Sequence, residues 1–81
     1  MPRYFFNVDE LDTDPEGSEL HDLKAARAEA VLAARELLTE CIFAGRDVVP
    51  LKILITDEAG QVLDTIHIRD VLPRSLRVGR D

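Results

Sequence analysis

The chain has 81 residues, a net charge of −6, 46% hydrophobic residues and one cysteine. That length holds one domain with a single modest core. The negative charge disfavours non-specific binding to nucleic acid or to an anionic membrane, since both need surplus Lys and Arg.

A lone cysteine cannot close an internal disulfide, so a reducing compartment is expected. Residues 1–21 contain no apolar run of the signal-peptide kind, and no stretch approaches the roughly 20 apolar residues of a membrane span. A cytoplasmic location is expected.

Residues 2–8, PRYFFNV, read as a strand. The stretch is aromatic and alternates, with Tyr4, Phe6 and Val8 on one face and Arg3, Phe5 and Asn7 on the other. Tyr4 and Phe6 are expected on the floor of the core. Phe5 falls on the opposite face.

Residues 9–22 form an acidic connector with seven carboxylates and no Lys or Arg. Asp14-Pro15-Glu16-Gly17 has turn chemistry, because Pro presets φ and Gly supplies φ > 0. Residues 17–20 then suit a short second strand. Asp12, Asp14, Glu16 and Gly17 match part of a calcium-binding EF-hand loop. The match fails at Leu23, where a bidentate Glu belongs, and at Glu19, where an apolar residue belongs. A solvated acidic turn is expected, with no metal.

Residues 22–44 spell one long amphipathic helix. Ala, Leu, Glu, Arg and Lys dominate, and no Gly or Pro interrupts. Asp22 suits the N-cap and Gly45 the C-terminal stop. At about 100° per residue, Leu23, Ala26, Ala30, Ala33, Ala34, Leu37, Leu38, Cys41 and Ala44 share one stripe. Its alanines predict close approach to a sheet carrying larger side chains. Leu32 and Phe43 point away from that stripe, either as singly exposed apolar residues or as a second contact surface.

Residues 49–56 and 61–68 predict a hairpin across Asp57-Glu58-Ala59-Gly60. Pairing Thr56 with Gln61 sets Ile55 against Val62, Ile53 against Asp64, Leu51 against Ile66 and Val49 against Ile68. This register collects the β-branched residues on one face. It leaves Asp64 as a carboxylate on the apolar side, expected beyond the helix near the turn. Leu54 and Leu63 pair on the outer face and form a second apolar patch with Phe5.

Residues 73–81 read as a flexible basic tail, with Arg74, Arg77 and Arg80 three apart and little apolar content. Residues 1–72 make one domain. Cys41 lies on the buried stripe, where a thiol behaves as a small hydrophobe. His21 and His67 are isolated. No adjacent nucleophile–base pair, phosphate-cradling Gly loop or paired-cysteine motif occurs. No enzyme activity, catalytic residue, cofactor or metal is expected.

The opening Met1-Pro2-Arg3-Tyr4-Phe5-Phe6, Gly17-Ser18-Glu19-Leu20, Asp22-Leu23-x-Ala25-Ala26-Arg27-x-Glu29-Ala30 and Thr56-Asp57-Glu58-x-Gly60 resemble a family of small bacterial proteins. Many members come from rhizobium-like soil bacteria, and the domain is one of unknown function. The resemblance covers residues 1 to about 72. It implies a ββαββ fold in a bacterial cytoplasm and carries over no catalytic residue. A looser similarity is to HicB-type antitoxins, which also set an early strand and an Ala-rich helix beside a sheet. Their strand order differs and their appended DNA-binding segment is missing here.

The expected fold is therefore α+β, in the order ββαββ: an antiparallel sheet of three or four strands with one long helix packed on one face. The leading functional expectation is a non-enzymatic protein-interaction or structural module, with a homodimer or another protein as partner. Phe5, Leu32, Phe43, Leu54 and Leu63 are its contact candidates. The alternative is a regulatory binder of nucleic acid or of a toxin-like protein through Arg69, Arg74, Arg77 and Arg80.

Overall fold

A computed structural model describes residues 1–9 and 13–77. Strands β1 (Arg3–Val8) and β2 (Ser18–Glu19) precede helix α1 (Leu23–Phe43), and β3 (Lys52–Thr56) and β4 (Val62–His67) follow it. Two 3-10 turns, Ile68–Val71 and Arg74–Leu76, complete the described chain. The strands form one antiparallel sheet in the order β2-β1-β3-β4. This is the expected ββαββ arrangement, with four strands and the helix across one face.

The helix starts where the Asp22 carboxylate accepts the Ala25 N–H at 2.9 Å. It stops before Gly45, whose φ of 72° is left-handed, a conformation that glycine adopts without a Cβ penalty. Ala26, Ala30 and Ala34 are 0% exposed and recur every four residues. Their small side chains let α1 lie close over Ile53, Ile55 and Ile66 in the core, with Tyr4 and Ile68. Phe6, Val8 and Leu20 pack around this cluster. The ends of the expected stripe are wet, for Leu23 and Ala44 are exposed.

The acidic connector is held by its own carboxylates. Asp14 Oδ2 accepts the Phe6 N–H at 3.3 Å, and Oδ1 accepts the N–H groups of Glu16 and Gly17. The Asn7 side chain accepts the Asp14 N–H at 2.9 Å. Beyond the short β2, Asp14 thus replaces a strand at the exposed edge of β1 and satisfies a donor that would otherwise be orphaned. Asp9, at φ 52°, plays a similar part. Its Oδ1 accepts from both Leu51 N and Lys52 N, tying the end of β1 to the start of β3. Gly17 brings the connector against β1 so closely that an added Cβ would meet Tyr4 O at 2.8 Å and the Phe5 ring at 2.9 Å. The Phe5 ring is therefore partly covered by this turn.

The hairpin register differs from the expected one by two residues over most of its length. Ile53 pairs with Ile66, Leu54 with Thr65 and Ile55 with Asp64, while Thr56 pairs with Val62 across a bulge. A two-residue slip preserves the alternation of faces, so the hydrophobic pattern fits both registers equally. The turn and the bulge decide between them. Gly60 takes φ 83° and Asp57 accepts from the N–H groups of Ala59 and Gln61.

Leu63 has no partner in this ladder, so the expected Leu54–Leu63 pair is not formed. β3 begins only at Lys52, and Leu51, expected in the core, is 74% exposed. Asp64 does not lie beyond the helix. Arg27 of α1 reaches it across the sheet edge and pairs with it at 2.6 Å.

Candidate functional site

Two surface features stand out at the end of the molecule where β4 runs into the 3-10 turns. The first is a half-open cleft of ≈ 430 Å³ between α1 on one side and residues 65–77 on the other. Arg27 and Arg35 come from the helix, and Arg74 and Arg77 from the opposite wall. Val31, Ile66, Val71 and Leu72 line it between them.

The helix supplies its pair because Lys24, Arg27, Val31 and Arg35 fall within about 80° of arc. Lys24 borders an adjoining shallow depression with Arg27, Val31 and Leu32. The far wall is held by Arg77, whose Nε donates to Leu72 O at 3.1 Å and Nη2 to Asp70 O at 2.8 Å. These bonds fold residues 73–77 back toward the domain.

The four guanidinium groups are not equally occupied. Arg27 is paired with Asp64, and Arg77 spends its donors on carbonyls. Arg35 and Arg74 form no ion pair and make no side-chain hydrogen bond among the described residues. Asp70 lines the cleft as its one unpaired acid. The Asp64 carboxyl is held below its ordinary value of 3.8, chiefly by the Thr65 backbone N–H and then by Arg27, against a smaller opposing effect of burial.

The second feature is an apolar groove of ≈ 350 Å³ lined by Leu38, Val49, Pro50, Leu51, Ile68 and Leu72, with His67 and Arg69 at its rim. Around it the end of α1 and the following segment expose Ile42 (67%), Val48 (82%) and Leu51 (74%). Phe43, at 93% exposure, projects from the last helical turn. Asp9 takes the backbone N–H groups of Leu51 and Lys52 where this segment enters β3.

The residues expected to act together fall at several places on the molecule. Leu32 and Phe43 lie on one side of α1, but about 16 Å apart along its axis. Leu32 borders the basic depression and Phe43 the apolar end. Phe5 and Leu54 are half-buried on adjacent strands, and Leu63 is exposed at the bulge without a ladder partner. Arg74 and Arg77 do converge. Arg69 sits at the groove instead, and Arg80 lies outside the described residues.

Arg27, Arg35 and the apolar residues of the groove are not among the contact candidates that the sequence offers. The recurrence of Lys24, Arg27 and Arg35 on one helical face was the available signal. Nothing local announces that the far wall brings two more arginines to it.

His67 borders both features and is exposed. Cys41 is buried and unpaired. Among the described residues no three His, Cys, Asp or Glu side chains converge as metal ligands, and no helix is long and apolar enough to cross a membrane.

Residues 3–69 match the model of a family described as domain of unknown function (DUF6894). No curated protein and no solved structure matches the chain.

Proposed function

The chain belongs to the DUF6894 family, and for it we propose a non-enzymatic role as a protein-interaction module that self-associates through the apolar end of α1. The observation that carries this reading is the gathering of exposed apolar surface at one end of the molecule. Phe43 and Ile42 stand out from the last turn of α1, and a groove of Leu38, Val49, Pro50, Leu51, Ile68 and Leu72 opens one helical turn before Ile42. A two-fold contact sets such a surface against its own copy, so each Phe43 enters the other's groove. A core of eight buried residues is small, and association adds apolar burial that so short a chain lacks alone.

Sedimentation equilibrium tests this reading. Wild-type protein is expected to dimerise, and Phe43→Ser and Leu51→Ser are each expected to return it to monomer without altering its helical signal. A wild-type chain that stays monomeric at millimolar concentration overturns the reading.

A second reading is a regulatory binder of a toxin-like protein or of nucleic acid through the arginines near the end of the chain. It is favoured by the meeting of Arg74 and Arg77 with Arg27 and Arg35. Deleting residues 73–81 is then expected to abolish a salt-sensitive interaction.

A further inference from the structure

We infer that the cleft between α1 and residues 65–77 is a binding site for a small phosphate ester. The inference goes beyond the self-association reading and uses a different surface. Four arginines line one cleft of a chain whose net charge is −6. Like charges held together repel, and only Arg27 has an acidic partner in a described ion pair. Arg35 and Arg74 line the cavity from α1 and from the opposite wall and make no side-chain hydrogen bond or ion pair among the described residues, with Asp70 as the one acid beside them. Arg77 keeps its charge while its donors anchor the wall to the Leu72 and Asp70 carbonyls.

Geometry selects the kind of anion. A carboxylate offers two coplanar oxygens, which one guanidinium fork satisfies. Arg35 and Arg74 come to the cleft from different walls, so one anion that serves both needs more than two acceptor oxygens. A phosphate monoester supplies three terminal oxygens and a charge of about −1.5 to −2 at neutral pH, enough for both forks.

The rest of the cleft suits an organic body. Val31, Ile66, Val71, Leu72 and Pro73 give apolar surface, and ≈ 430 Å³ is a volume suited to a small-molecule ligand. A long polyanion is disfavoured, because the basic surface is local and the rest of the chain carries the acidic surplus.

The test is a heteronuclear NMR titration of the whole chain with adenosine 5′-monophosphate and with inorganic phosphate, using adenosine and acetate as controls. Saturable shifts are expected at the amides of Val31, Arg35, Leu72 and Arg74 with the nucleotide. The same sites should respond to inorganic phosphate, and not to adenosine alone. Arg35→Gln and Arg74→Gln should each weaken nucleotide binding by about fivefold or more. Both residues are exposed, so circular dichroism and the melting temperature should be unchanged.

Absence of saturable shifts with both phosphate probes at roughly 10 mM overturns the assignment. So do shifts that ignore both substitutions, or acetate binding as tightly as phosphate. A single-stranded oligonucleotide that binds far more tightly than the mononucleotide, with a salt slope of several phosphates, would overturn the small-ligand assignment in favour of a polymer.

Discussion

Arg27 and Asp64, 37 positions apart in the chain, meet across the edge of the sheet with Nη1 and Oδ2 separated by 2.6 Å. The contact reconciles a carboxylate with the apolar face on which strand alternation places it. Asp64 Oδ1 also accepts the backbone N–H of its neighbour Thr65 at 2.8 Å. β4 is an edge strand, and an inward charge there hinders pairing with another sheet.

The pair should be visible in the acid limb of stability. Because the Asp64 carboxyl lies below its ordinary 3.8 in the folded chain, its contribution is fully present above that value. It is lost as pH falls through the folded-state value. The side chains are 56% and 31% exposed, so the effect is that of a partly screened pair, about 0.5–1 kcal/mol. Urea unfolding should show Asp64→Asn destabilised by that amount at pH 7 and converging with wild type once the pH has fallen below the folded-state value. A difference that persists unchanged in acid would mean that charge is not its source.

Gly17 is a position where an alanine should be costly. Its φ of 70° disfavours any Cβ, and that atom would lie 2.8 Å from a main-chain oxygen of β1. Backbone gives way less readily than a side chain. Gly17→Ala should lose about 1–3 kcal/mol, read as a lower urea midpoint. At Gly60 an added Cβ meets nothing within 4 Å, so the same change there should cost less.

Asp14 should matter more than its place in an acidic run suggests. Replacing it by Ala removes the acceptor of Phe6 N, Glu16 N and Gly17 N. We expect a loss of about 1–3 kcal/mol and faster amide exchange at Phe6 and Gly17. Glu16→Gln, whose side chain has no described partner, should leave both unchanged.

Ala30 tests the close approach of helix and sheet. It is fully buried in the cluster that holds Ile53 and Ile55. Ala30→Leu should destabilise by about 1–3 kcal/mol through overpacking, although it adds apolar surface. Ala28→Leu, on the exposed face of the same helix, should be nearly neutral in thermal unfolding.

Much of this fold was legible because its signals are local. The α1 alanines recur at helical spacing, Asp22 and Gly45 carry cap chemistry, and Tyr4, Phe6 and Val8 alternate with Arg3, Phe5 and Asn7. The hairpin was legible only in outline. A shift of two residues leaves every side chain on the same face, so patterning was blind to it. The candidate surfaces were the least legible, because Arg27 and Arg35 face Arg74 and Arg77 only once the chain has returned from β4 to the helix.

The order of amino acids by itself determined which segments become helix and strand, which helix face is buried, and that helix and sheet must cover each other. Those outcomes follow from backbone preferences and from side-chain periods of 3.6 and 2. Only the tertiary structure decided that Arg27 neutralises Asp64, that Asp14 stands in for a missing strand, and that four arginines share one cleft. These are meetings of residues distant in the chain. They are set by how α1 lies on the sheet, by the bulge beside Asp64 and by the carbonyls that Arg77 holds.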